Sequence, residues 1–276
     1  MLGNIKAAGT ILNNLNKSYT ASDLAYEKLS SGNRINRAAD DAAGLAISEK
    51  LLSQMNGLNM AAKNTQDGIS MIQTAEGAMH ETHAIVQKMR ELAVQSANDT
   101  NTPQERDALN LQFQELIKEI DRIAGTTEFN TKKLLNGNHK DKPLKLQVGA
   151  NSGQHMDIYI GDMSWNALLG SNASRGDLNL LSQESSDAMI GVMDQVLKNV
   201  STERSKMGAY QNRLEHTYNN TLNTGENLTA AYAQIKEVDM AKEIMHLTTE
   251  NIKQQAATTV LSMHMQSASN VLNLLR

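Results

Sequence analysis

The chain contains no cysteine, which excludes disulfides, cysteine-ligated zinc and a thiol nucleophile. It has one tryptophan, two phenylalanines and two prolines in 276 residues. A compact enzyme of this length needs more aromatic side chains than that to fill a deep core. No run of about 18 apolar residues occurs, so no segment is expected to span a membrane. An excess of charge of either sign is missing too. The net charge of −4 offers no basic surface for nucleic acid, whose partners carry clustered Lys and Arg. The start, MLGNIKAAGTILNNLNKS, interleaves Asn with its apolar residues and lacks the unbroken apolar centre of a secretory signal. If the protein leaves the cell, the expected route needs no cleaved signal peptide. No nucleophile elbow, phosphate-binding loop or dinucleotide fingerprint is present. Neither catalysis nor a cofactor is expected.

What is abundant is aliphatic. Hydrophobic residues make up 40% of the chain, fifteen of them Met. Paired helices need only Ala, Leu, Ile, Val and Met seams, so the composition predicts a mainly α fold, an elongated helical coiled-coil rod. The first run places Ile5, Ala8, Leu12, Leu15, Tyr19, Ser22, Tyr26 and Leu29 at alternating steps of three and four, one stripe of a heptad helix. Ser-Ser-Gly-Asn follows, and Gly32 can end the helix at positive φ. Asp40 or Asp41 can cap a second, very long run through Ile47, Leu58, Ile72, Met79, Val86 and Met89. From Asp41 to Ala97 it is on the order of 80 Å at 1.5 Å per residue. Pro103 suits the first position of a third helix on Leu109, Phe113, Leu116, Ile120 and Ile123.

From about Phe129 to Gly170 the period falls to two. Leu144, Leu146 and Val148 alternate, then Met156, Ile158 and Ile160, with GANSG between, which predicts a small β-hairpin region. Helical periodicity returns near Ser185 on Met189, Met193, Val196, Val200, Met207, Tyr210 and Leu214, weakly interrupted at Gly225. A last run from about Ala230 carries Ile235, Val238, Ile252, Ala256, Val260, Met263, Val271 and Leu274. The order is palindromic, so the ends are expected to pair. Covering one side of each terminal helix leaves Ile244, Leu247, Leu261 and Leu275 for other copies of the chain, which points to a polymer.

Three sets of residues deserve weighing. His80 and His83 are three apart, whereas a zinc peptidase needs H-E-x-x-H at a spacing of four; the ordinary reading is two surface histidines. Met71, Met79, Met189, Met193 and Met207 can line an adaptable binding groove, but heptad spacing favours core packing. Arg34, Arg37, Asp40 and Asp41 put two cations and two anions within eight residues. Between two packed helices such charges can orient neighbouring subunits, although each exposed pair is worth only about 0–1 kcal/mol.

LSSGNRINRAADDAAGLAISEKL, Leu29 to Leu51, resembles the N-terminal motif of bacterial flagellins. NTQDGISMIQTAEGAMHETHAIVQKMRELAVQSAND and TTEFNTKKLLNG continue the likeness. GAYQNRLEHTYNN, GENLTAA, VDMAKE and NVLNLLR resemble the family's C-terminal half. The chain is most similar to flagellins of Gram-positive bacilli, without the variable outer domains that many members insert between Asp162 and Ser185. It departs from the family at MLGNIKAA and at Asn33, where the family usually has Leu.

The resemblance implies a structural subunit of a secreted bacterial flagellar filament used for swimming. Residues 1–40 and 230–276 are then terminal helices of an inner tube with its connecting spoke, and 41–229 an outer-tube domain with the hairpin at 129–170. Its polymer interface is expected at Leu12, Leu15, Arg34, Arg37, Asp40, Asp41, Val260, Val271 and Leu274. The implied partners are other copies of the chain, an export chaperone on the C-terminal helix, hook-associated and cap proteins, and a flagellin-sensing Toll-like receptor. The receptor contact would use Lys88, Leu92 and Gln112. It is expected to be weak, because Lys88 stands where the family's Arg does and Gln112 where it has an acid. A hook–filament junction protein and a metallopeptidase are the alternatives.

Overall fold

The computed structural model describes the backbone of residues 2–170 and 179–274, and the side chains of 6–170, 179–267 and 269. It is mainly α. In chain order come helices α1 (Leu2–Ser31), α2 (Ala42–Ser96) and α3 (Pro103–Thr126), then strands β1 (Glu128–Phe129), β2 (Lys132–Lys133), β3 (Leu144–Gln147) and β4 (His155–Ile158). The one-turn α4 (Trp165–Leu169) and the long α5 (Gln183–Lys236) and α6 (Met240–Leu274) complete it.

Most helix ends fall where local chemistry puts them. Gly32 takes φ +70° after α1 and its N–H donates to the Lys28 carbonyl at 2.9 Å, a left-handed cap that a Cβ would strain. Asp41 Oδ1 accepts the Gly44 N–H at 2.8 Å and caps α2. Pro103 opens α3 behind a capping box formed by Thr102 and Glu105, which satisfies two otherwise orphaned donors. The C-terminal half departs from the expected pattern. α5 runs unbroken through Gly225, since one Gly costs a helix only about 1 kcal/mol relative to Ala. The break lies at Glu237–Asp239 rather than before Ala230. There Asp239 Oδ1 accepts the Lys242 N–H at 3.1 Å and starts α6.

The chain divides into two compact units, residues 1–55 with 226–276, and residues 56–225. In the second unit, the inward faces of α2 (Met71, Ile72, Met79, Val86, Met89), α3 (Leu109, Phe113, Ile120) and α5 (Met189, Met193, Val196, Val200, Met207, Leu214) meet in one buried cluster. The five methionines of the sequence stripe are 0–8% exposed, so they are core. Phe113 meets Trp165 edge to face, with centroids 6.3 Å apart at 85°. α4 itself was not evident from periodicity. Its first N–H, at Trp165, is capped from α3 by Asp121 Oδ1 at 2.8 Å, and Asn199 of α5 donates to the Leu168 carbonyl at its end.

β3 and β4 pair antiparallel with Leu144 opposite Ile158 and Leu146 opposite Met156, the alternation read from sequence. The hairpin lies so close to α2 that a Cβ at Gly68 would strike the Leu146 side chain. A second, smaller ribbon joins β1 to β2 through Asn130 and Thr131, at φ 47° and 66°. Two positive-φ residues are what a two-residue hairpin turn requires. Asn tolerates this conformation, but β-branched Thr does not. Replacing Thr131 by Gly is therefore expected to raise stability by about 1 kcal/mol, read as a higher urea midpoint with an unchanged m-value.

Candidate assembly surface

α1 and α6 pack along one another and antiparallel. Gly32 and Arg34, at the end of α1, bond to Val238 and Lys236, just before α6, while Ser18 bonds to Glu250. The stripe that α1 turns inward is Leu15, Ser18, Ser22 and Ala25, all buried. Small side chains there let the two backbones approach. α6 answers with Glu250, only 7% exposed, and Gln254. Ser18 Oγ donates to Glu250 Oε2, Lys253 Nζ to Glu250 Oε1 at 2.7 Å, and Gln254 Nε2 to the Ser18 carbonyl at 3.0 Å and Ser22 Oγ at 2.7 Å. A buried polar node of this kind can fix the register of two helices that apolar contacts alone would let slide.

This seam corrects the stripes expected from periodicity. On α1, Leu15 and Ser22 face α6, whereas Leu12, Tyr19 and Tyr26 are 46%, 48% and 53% exposed. On α6, the expected stripe of Ile252, Val260 and Met263 is exposed at 61%, 45% and 61%. Leu247 and Leu261, expected to be left for other copies, are half-buried on the seam side. The side chains of Val271 and Leu274 lie outside the described residues.

The hydrogen bonds from Lys253 and Ser18 hold the Glu250 carboxyl below the usual glutamate range. A depressed folded-state pKa contributes stability that is fully present above the unfolded value, about 4.3, and is lost as pH falls through the lower folded value. The terminal pair is accordingly expected to hold at pH 5 and to loosen below about 4. Urea midpoints across that range check this, and Glu250→Gln should flatten the acid limb.

The four charges of the connecting segment are all engaged within the chain. Arg34 donates Nε and Nη2 to the Ile235 carbonyl at 3.2 and 2.7 Å. Arg37 grips Glu27 with two parallel bonds of 2.9 Å. Asp40 Oδ2 accepts the N–H groups of Arg37 and Asn36, which hold its carboxyl below the ordinary aspartate range. Asp41 caps α2. Ile35, 1% exposed, anchors the segment, and an isolated antiparallel bridge joins Asn33 to Glu237. These groups therefore set the path of the chain between α1 and α2.

Elsewhere, Lys88 is exposed and paired with Glu91 at 2.8 Å, and Gln112 is exposed. Leu92 is 3% exposed inside the core cluster, which corrects its assignment to a receptor-facing surface: its side of α2 is the side that packs. His80 is exposed beside Glu81. His83 approaches Gln87, and burial, the Arg204 cation and His80 lower its pKa. Among the described residues, no three His, Asp or Glu side chains gather as a metal site. No described helix is long and apolar enough to cross a membrane.

Residues 4–140 match the family model of the bacterial flagellin N-terminal helical region, and residues 190–275 that of the C-terminal helical region. The flagellin of Halalkalibacterium halodurans is 51% identical over 252 residues, 91% of each chain. The flagellin of Bacillus subtilis is 47% identical, and the match covers 99% of this chain and 98% of that one. Among solved structures, the crystal structure of Bacillus cereus flagellin is 30% identical with a TM-score of 0.50, covering 58% of this chain and 88% of that one. A putative flagellar hook-associated protein of Vibrio parahaemolyticus, 15% identical with a TM-score of 0.59 over 72% of this chain and all of that one, shares the fold.

The chain belongs to the bacterial flagellin family, of Bacillus-like type. It is a structural subunit of the extracellular flagellar filament and not an enzyme. The hook–filament junction and metallopeptidase readings are not favoured.

Proposed function

We propose that the subunits of the filament touch chiefly through the outward faces of α1 and α6. One observation carries this reading. After α1 and α6 have paired, Leu12, Tyr19 and Tyr26 on one helix and Ile252, Val260 and Met263 on the other are still between 45% and 61% exposed. Apolar side chains left exposed along one face of each paired helix mark an interaction site, and each such side chain contributes about 1.5–3 kcal/mol when fully covered. Residues 1–40 and 230–276 would then form the inner tube and its spoke, and residues 41–229 the outer tube. Leu12 and Val260 lie on the contact faces themselves. Leu15 acts through the α1–α6 seam, and Arg34, Arg37, Asp40 and Asp41 act by holding the path of the spoke between α1 and α2.

The same α6 face suits an export chaperone before assembly, and hook-associated and cap proteins at the filament ends. A flagellin-sensing receptor would meet only Lys88 and Gln112. Lys lacks the planar donor fork of Arg, and Gln carries no charge, so a weak response is the reading.

Hydroxyl-radical labelling of monomer and seeded filament tests the assembly surface. Labelling of Tyr19, Tyr26 and Ile252 should fall at least tenfold on polymerisation. Unchanged labelling at all three would overturn the proposal.

A further inference from the structure

Among the described residues, the methionines segregate by exposure. Met71, Met79, Met89, Met156, Met163, Met189, Met193 and Met207 are 0–8% exposed, all within residues 56–225. The strongly exposed ones are Met60 and four on α6: Met240 at 45%, Met245 at 64%, Met263 at 61% and Met265 at 69%. On α6, Met245, Ile252, Ala256 and Met263 follow one another at steps of seven, four and seven, which places them on one line of the helix. That line faces away from the Glu250–Gln254 seam and coincides with the apolar face assigned above to assembly.

We propose that Met245 and Met263 of α6 are an oxidation site that controls the competence of unassembled subunits, with hydrogen peroxide as the oxidant class. The inference rests on the assembly surface proposed above. In the step, a lone pair of the thioether sulfur attacks one peroxide oxygen and the O–O bond breaks. That oxygen stays on sulfur as the sulfoxide, and the other leaves as water after proton transfer. Sulfur loses two electrons and peroxide gains them. The product is a polar acceptor where an apolar, pliable side chain stood. On a surface destined for burial, such an acceptor has no donor to meet it, and burying it unpaired opposes association. The core sulfurs are screened from peroxide by packing, so the fold survives a dose that disables the surface. Once assembled, the Met245 and Met263 sulfurs are covered as well. Free subunits are then sensitive to oxidant and filaments resistant.

The experiment treats purified full-length monomer briefly with hydrogen peroxide, maps sulfoxides by peptide mass spectrometry, and measures elongation from filament seeds. Met245, Met263 and Met265 should oxidise at least tenfold faster than Met79, Met193 or Met207. Elongation should fall at least tenfold with unchanged helicity. Methionine sulfoxide reductases with a thiol reductant should restore it. A variant carrying Met245→Leu and Met263→Leu should keep elongating after the same dose. If that variant assembles poorly even untreated, the reductase rescue of the natural chain decides. Core and α6 methionines oxidising together, elongation unaffected by α6 sulfoxides, or a loss that the reductases do not reverse would each overturn the proposal. Ile252→Asp separates the two readings. If it blocks elongation while sulfoxides do not, the oxidation site fails and the assembly surface stands; if neither blocks, the surface itself is wrong.

Discussion

Filaments are expected not to grow from Ile252→Asp subunits at concentrations where the natural chain elongates freely. Ile252 is 61% exposed, so the substitution leaves the folded monomer with its helicity and unfolding midpoint. In the proposed interface the same position is covered by a neighbouring copy, and a carboxylate buried there without a partner costs several kcal/mol. About 4 kcal/mol corresponds to a 1,000-fold change in an equilibrium constant. Every added subunit meets that cost again, so the critical concentration for elongation should rise by about three orders of magnitude. Leu12→Asp, at a position 46% exposed on α1, should behave alike. Sedimentation of seeded reactions over a concentration series measures the effect. Unchanged critical concentrations for both variants would show that these two faces are not where subunits meet.

Phe113→Ala is the opposite case, with a severe effect on the fold and no direct effect on the assembly surface. Phe113 is fully buried on α3 and meets the edge of Trp165. Truncation removes the ring and leaves a cavity between α3 and α4, a change that typically costs about 3–5 kcal/mol. Marginal domains hold only about 5–15 kcal/mol in total, so the unit of residues 56–225 should lose a large part of its stability. Trp165 is the chain's one tryptophan and 3% exposed. Its fluorescence reports this directly: the urea midpoint should drop sharply, and emission should shift to the red at lower denaturant. A midpoint within experimental error of the natural chain would mean that the surrounding Leu and Met side chains collapse fully into the space.

Much of the fold was legible because its signals are local. The two-residue alternation around Leu144 and Met156 announced the hairpin of β3 and β4, since strand side chains change face at every step. Pro103 announced the start of α3. Gly32 announced the end of α1, because a helix stop at positive φ is a property of that residue and its neighbours. The family was legible for a different reason, the long match of whole motifs at both ends of the chain.

The sequence by itself thus determined the helical class, the hairpin, the methionine-rich core stripe and the kinship. Only the tertiary structure decided which heptad positions the chain uses for itself. Periodicity reveals that a helix has an apolar stripe, but it cannot say whether the partner is in the same chain or another. On α1 the internal partner took Leu15, Ser18, Ser22 and Ala25, the narrow side, and left Leu12, Tyr19 and Tyr26 exposed. The node that joins them, Ser18 and Ser22 to Glu250 and Gln254, escaped a search for apolar repeats because all four side chains are polar. Ser22 on the first stripe was its single visible trace. The break at Glu237–Asp239 escaped that search too. Where α5 yields to α6 depends on groups about two hundred residues apart meeting in space: Arg34 N–H with the Lys236 carbonyl, and Val238 N–H with the Gly32 carbonyl.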